Sequence, residues 1–254
     1  MTELTAAAAT QAKQVPDRAN QDAILAQVHT SPEGVCYGLF LVADGVGGHH
    51  EGSQASRIAG ETIADLTEPL WPDLSDPLSP EQQSALEVGL YEAIMTAHEN
   101  ILAYGEAHDI RTASTVTCAL VYGRTAIIGN VGDSRTYLFR QNNLEQITED
   151  HSLVMWLVKQ GHITADESRN HPYGNVLMHA LGGPETPLID ITNLPLQPGD
   201  RLLLCSDGIW DMLTDAQLAD FLQTAVSPET AVNEIMASVQ PIHKDDHSVI
   251  IVQI

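Results

Sequence analysis

The sequence predicts one α+β domain whose antiparallel sheets are covered by helices. Residues 114–144 hold three short apolar runs, STVTCALVY, TAIIGNV and RTYLFR, punctuated by Gly123 and the Gly-Asp-Ser triplet at 132–134, the signature of an antiparallel meander. Leu86, Leu90, Ala93, Ile94, Ala97 and Ile101 recur at the spacing of one buried helical face. With 254 residues and 43% hydrophobic content, the chain can bury one large core or two small ones, and no repeat or low-complexity linker divides it.

Residues 1–12 read as a flexible tail, and 13–254 as a single catalytic-size domain. Strands are predicted at 23–29 and 34–43, joined by the turn TSPEG, followed by a helix over 52–67. Four prolines make TEPLWPDLSDPLSP a loop. The next helix starts at Ser79-Pro80-Glu81-Gln82, with Ser as cap, Pro in the first turn and Gln three residues after the cap. After the meander come a helix at about 151–160, stopped by Gly161, and a polar, mobile excursion over about 161–175. Strands near 188–194, 201–205 and 248–253 and helices near 215–224 and 228–239 complete the pattern.

Eleven Lys+Arg against 34 Asp+Glu give a formal charge of −23. Sequence-independent binding to nucleic acid or to an anionic membrane needs basic surface, so neither partner is expected. No run of about 18 apolar residues suggests a membrane span. The first fifteen residues lack the basic and apolar regions of a secretory signal. Cys36, Cys118 and Cys205 lie in separate apolar runs, which suits reduced core thiols and a cytoplasmic location.

Four strand termini share one feature. LFLVADG ends at Asp44, and RLLLCSDG ends at Asp207, each followed by Gly; AIIGNVGDS puts Asp133 in a tight turn; Asp245 and Asp246 directly precede the last strand. A single Asp-Gly after a strand is an ordinary turn. Several carboxylates delivered at strand mouths repel one another unless a cation neutralises them. An all-oxygen set without Cys or a required His suits Mg²⁺ or Mn²⁺. Strand period alone leaves the choice between Asp245 and Asp246 open.

The ordered blocks RANQDA (18–23), VADGVGGHHEG (42–52), GNVGDSRTYLFR (129–140), ITEDHSLVMWLVKQGHIT (147–164), NVLMHALG (175–182), GDRLLLCSDGIWDMLTD (199–215) and DDHSVIIV (245–252) resemble the metal-dependent protein serine/threonine phosphatases of type 2C, in their bacterial form. The resemblance implies a sandwich of two antiparallel β-sheets flanked by α-helices, with 161–175 as a flap near the active site. It implies that Asp44 bridges two Mg²⁺ or Mn²⁺ ions, that the Gly45 carbonyl ligates one, and that Asp207 and Asp245 complete the other. Asp133 would hold a third ion together with Asp207, and Asp22 would act mostly through water. Arg18 would grip the substrate phosphate, and His49 is the candidate proton donor to the leaving alkoxide. A water shared by the two core ions would attack phosphorus in line. The implied partners are phosphorylated proteins, met by a monomer with a role in signalling. Where relatives read Leu-Thr-Arg-Ala-Leu-Gly, this chain has Met178 and His179 in the second and third places.

Two other readings fit parts of the sequence. Cys118 and Arg124 match the letters C-x5-R of cysteine-dependent phosphatases, but the intervening ALVYG is strand-like rather than a glycine-rich cradle of amides. A phosphoprotein-binding domain without turnover would be expected to lack metal acids, and Asp44, Asp133, Asp207 and Asp245 are all present.

Overall fold

Among the residues described by the computed structural model (4–13, 19–47, 51–71, 74–169, 171–239 and 245–254), strands and helices alternate in blocks. The order is β1 (Thr5–Gln11), β2 (Asp22–Thr30), β3 (Cys36–Val46), α1 (Glu51–Thr67), α2 (Pro80–His108), β4 (Ala113–Ser114), β5 (Val116–Tyr122), β6 (Thr125–Val131), β7 (Arg135–Arg140) and β8 (Asn143–Gln146). Then follow α3 (Leu153–Lys159), α4 (Ala165–Ser168), β9 (Asp190–Pro195), β10 (Arg201–Cys205), α5 (Asp207–Trp210), α6 (Asp215–Thr224), α7 (Pro228–Val239) and β11 (His247–Gln253).

The strands form two antiparallel sheets, ordered β1-β11-β10-β7-β8 and β2-β3-β5-β6-β9, with β4 paired to β3. Period-2 alternation sends Phe40, Val42, Ala119, Val121, Leu202, Leu204, Ile250 and Val252 into the space between the sheets. Their neighbours Leu39, Leu41, Cys118 and Leu120 face Ala55, Ile63, Leu90 and Ile94 of α1 and α2. On the other outer face, Leu203, Cys205, Val249 and Ile251 meet Leu218, Leu222 and Ile235 of α6 and α7. Both faces of the central strands are therefore buried, which is why they read as unbroken apolar runs. The Ser79 capping box at the start of α2 is present as expected: the Ser79 side chain accepts from the Gln82 N–H, and Gln82 returns a bond to the cap backbone.

The expected flexible tail is corrected. Residues 5–11 are an edge strand, paired residue for residue with β11 from Thr5–Gln253 to Gln11–His247. Leu4 is buried between the sheets, Ala6 packs beside it, and Ala7 and Ala9 pack toward the other core. Alanine has little intrinsic strand preference, so TAAAATQ carries no local strand signal; the partner strand decides its conformation. Strand β8 was also not anticipated. Within the flap segment, α4 is a short capped helix, with Thr164 accepting from the Glu167 N–H.

Candidate metal centre

Register brings the first two acids together. Asp22 on β2 lies directly opposite Asp44 on β3, at the same end of the sheet. The Asp44 backbone is fixed from three sides: its N–H donates to Thr115 Oγ1 (3.0 Å), its carbonyl accepts from Thr115 N–H (2.8 Å), and Ser114 Oγ donates to the same carbonyl (3.1 Å). Gly45 leaves no room for a side chain, since a Cβ there would stand 2.0 Å from the Gly52 carbonyl oxygen. Its N–H donates to the Gln21 carbonyl (3.0 Å).

The other acids arrive from the second sheet and the meander. Asp207 opens α5 at the mouth of β10. Gly208 lets this turn close against the last strand; a Cβ would meet the Asp246 carbonyl oxygen at 2.1 Å. Asp133 sits in the turn between β6 and β7, where Gly132 has φ +100°. The Asp133 carbonyl accepts from Trp210 Nε1 (3.0 Å), and the Arg135 guanidinium stacks 3.7 Å over the Trp210 ring. Arg135 in turn makes a two-point ion pair with buried Asp150 (Nε 2.9 Å, Nη2 2.6 Å). These contacts hold the turn from below.

Burial and mutual repulsion mark the acids as one electrostatic unit. Asp44 is pushed well above the usual carboxylate range, first by burial and then by the charges of Asp22, Asp207, Asp133 and Asp245. Asp207 is pushed the same way by burial, then by Asp133, Asp245 and Asp22. Burial raises Asp133 to about 7, with Asp150 adding to it and the Arg135 charge opposing. Burial raises Asp22 to about 6 against two favourable hydroxyls. Those hydroxyls are Ser206 Oγ and Ser248 Oγ, which donate to Asp22 Oδ2 at 2.7 and 2.6 Å.

The geometry separates the two C-terminal acids. Asp246 is buried, and its two carboxylate oxygens accept from the backbone N–H groups of Lys13 (2.8 Å) and Gln21 (2.9 Å). Asp246 thus ties β11 to the segments flanking β2. Asp245 is half-exposed, lies 3.5 Å from Lys13 Nζ, and is the one whose charge acts on both Asp44 and Asp207.

The donor set fits a hard divalent cation. Oδ1 of Asp22 and Oδ1 of Asp207 are buried without a hydrogen-bond partner among the described residues, a costly arrangement for two carboxylate oxygens unless a cation faces them. Among the described residues no group of three His, Cys, Asp or Glu side chains is placed to hold a metal ion. Mg²⁺ does not require one, since it keeps several waters and takes one or two carboxylates.

Arg18 and His49 lie outside the described residues. The thiol alternative fails on burial: Cys118 is fully buried in β5 and its pKa is pushed up to about 12, so it holds no thiolate. Sequence reasoning missed Ser206, Thr115, Arg135 and Trp210 as supports. Ser206 directly precedes Asp207 and Arg135 follows the Gly-Asp-Ser triplet, so adjacency to the acids was the available signal.

The model of the family described as Protein phosphatase 2C matches residues 12–240. The serine/threonine phosphatase stp of Listeria welshimeri is 36% identical over 188 residues, covering 73% of this chain and 72% of that protein. The structure of the S. agalactiae serine/threonine phosphatase superposes with a TM-score of 0.86 at 27% identity, covering 99% of this chain and 100% of that one. The catalytic domain of the serine/threonine protein phosphatase PstP, solved in complex with two manganese ions, superposes with a TM-score of 0.80 at 28% identity over 98% of this chain and 97% of that one. Carboxylates gathered at the strand mouths of a two-sheet sandwich, and a family match over most of the sequence, lead to one conclusion: the chain belongs to the protein phosphatase 2C family.

Proposed function

We propose that the protein hydrolyses phosphoserine and phosphothreonine esters in proteins, using Mg²⁺ or Mn²⁺. The observation that carries this reading is the set of mutually repelling acids with two orphaned buried oxygens, which needs divalent charge to be occupied in ionised form. Asp44 and the Gly45 carbonyl would serve one ion, Asp44 with Asp207 and Asp245 the other. Asp133 with Asp207 would hold a third, and Asp22 would contact the ions through water. When bound, such ions bring the pKa of water toward neutrality and offset charge on the phosphoryl oxygens.

The chain's own groups then have defined tasks. Thr115, Ser114 and Gly45 hold the Asp44 backbone in place, so the strand end need not move for metal to bind. Arg18 is assigned to the phosphate, where a guanidinium offers two parallel donors. His49 is assigned to protonating the departing serine or threonine oxygen, because an imidazole titrates near neutral pH. We place the activity in the cytoplasm, where the free thiols of Cys36, Cys118 and Cys205 stay reduced.

The test is hydrolysis of p-nitrophenyl phosphate and of a phosphothreonine peptide with Mn²⁺, with and without chelator, in the wild type and in Asp207→Ala. Chelator and substitution are each expected to abolish turnover. Activity that survives Asp207→Ala would overturn the ligand assignment, and none with any divalent metal would overturn the enzyme reading.

A further inference from the structure

Beside the metal centre the chain forms a second hollow, of about 690 Å³, that no acid of the centre lines. Its walls come from the end of β3 (Val46, Gly47), the last turns of α2 (Ile101, Leu102), the segment leading into β4 (Ile110) and the glycines after the flap (Gly182, Gly183). The floor is apolar, with Ile101 fully buried and Leu102 and Ile110 half-buried, and Val46 is exposed at its edge. Among the described residues, the charged groups that line it are Glu106, Asp109 and Arg111.

This hollow is built into the backbone. At the end of α2, Asp109 adopts a left-handed conformation (φ 54°), which turns the chain so that the Ile110 N–H donates to the Gly105 carbonyl at 3.0 Å. A Cβ on Gly105 would stand 2.9 Å from the Ile110 carbonyl oxygen, so only glycine permits the turn to close this tightly. The opposite wall is equally constrained. Gly182 has φ +78°, its N–H donates to His98 Nδ1 on α2 (3.0 Å), and a Cβ there would meet Ile101 Cγ2 at 2.2 Å. A third side is held by Thr112, whose hydroxyl donates to the Glu51 carbonyl at 2.8 Å.

The position is specific to the chemistry next door. Val46 lies two residues beyond Asp44 on the same strand, about 7 Å along it at the usual strand rise. A substrate chain in extended conformation covers that span in two to three residues. We propose that this hollow is a specificity subsite, which takes an apolar side chain of the phosphoprotein substrate two or three residues from the phosphorylated one. The proposal rests on the phosphatase reading above and adds a sequence preference to it. Continuity with the metal centre favours the substrate over other occupants, because Val46 and Gly47, which line the hollow, directly follow Asp44 and Gly45 in the chain.

The experiment uses the full chain with Mn²⁺ and a panel of phosphothreonine peptides that carry Leu, Gln or Glu at one of the positions two or three residues to either side. At one of these positions the Leu peptide is expected to exceed the Gln peptide in kcat/KM by about tenfold, the discrimination a small apolar pocket gives. Leu102→Gln, which makes the floor polar, and Leu102→Trp, which narrows the hollow, are each expected to reduce that advantage to less than about twofold. Both variants should turn over p-nitrophenyl phosphate, which has no flanking residues, as the wild type does; that control also reports folding. Normal turnover of the small substrate with no Leu preference in the wild type, or a preference that survives both variants, would overturn the subsite alone. Absence of small-substrate turnover would sink the phosphatase reading and the subsite with it. A change in sedimentation for Leu102→Gln with peptide preference unaltered would assign the hollow to a second copy of the chain and overturn the proposal.

Discussion

Asp22 shows how one residue is kept usable in a buried place. Its Oδ2 receives both Ser206 Oγ and Ser248 Oγ, while its Oδ1 has no partner among the described residues. Ser206 Oγ also accepts from the Ser248 N–H (3.0 Å), and Ser248 Oγ lies 2.7 Å from Thr10 Oγ1, so one oxygen is anchored by a chain of hydroxyls and the other is left for a ligand. Ser206→Ala removes a donor to a carboxylate already raised to about 6 by burial, so its pKa should rise further. The variant is expected to need roughly tenfold more Mn²⁺ for half-maximal activity at pH 7, as loss of a group that orients a metal ligand typically does. A metal titration of wild type and variant at matched pH checks this, and an unchanged midpoint would remove Ser206 from the supporting role. Asp44, Asp133 and Asp207 were legible in the sequence, because each stands beside Gly or Ser at the end of an apolar run, and Asp245 because it precedes one; Asp22, between Gln21 and Ala23, was reached only through the family resemblance. The hydroxyls were not, since Ser and Thr occur throughout turns and only the fold shows which of them face an acid.

At the scale of elements, β1 links the periphery to the centre. Its seven residues pair with β11, and Thr10 reaches the same hydroxyl chain that holds Asp22. Deleting residues 1–11 would strip one of the two hydrogen-bond partners from β11, uncover the space between the sheets at Leu4 and Ala6, and break that chain. Net hydrogen bonding at roughly 1 kcal/mol per bond makes the loss several kcal/mol. At about 2–4 °C per kcal/mol for a chain of this size, the melting temperature should fall by about 10 °C. Thermal denaturation of the truncated chain decides between an edge strand and a dispensable tail, which would leave the midpoint unchanged. The central elements were legible because their burial pattern is written into them: β6, β7, β10, α6 and α7 have the residue ranges their periodicity predicts. Strand β1 was not, because four alanines in a row carry neither period nor propensity and acquire their conformation from Val249 to Val252 across the ladder.

For the whole molecule, the acids make metal-free stability depend on pH in a direction opposite to that of paired surface carboxylates. Unfolded aspartates titrate near 3.9. In the folded chain Asp22 is raised to about 6, Asp133 to about 7, and Asp44 and Asp207 well above the usual range, in each case first by burial. Between the unfolded and folded values the native state holds more protons than the unfolded one, so stability falls as pH rises through that window. For Asp22 and Asp133 the fall runs from about pH 4 to about pH 7. In chelator, the melting temperature is therefore expected to be at least about 5 °C higher at pH 5 than at pH 7.5. Saturating Mn²⁺ should restore most of the difference at pH 7.5, since the cations replace the protons that offset repulsion. The formal charge of −23 adds general self-repulsion with the same sign. Salt separates the two contributions: at about 1 M the Debye length is near 3 Å, which screens exposed charges but not groups buried together. The slope with pH should thus persist in high salt and flatten in Asp207→Asn, which removes one of the repelling charges while keeping its shape. A melting temperature that rises from pH 5 to pH 7.5 in chelator, or a slope that vanishes in salt, would show that the acids do not share one buried site.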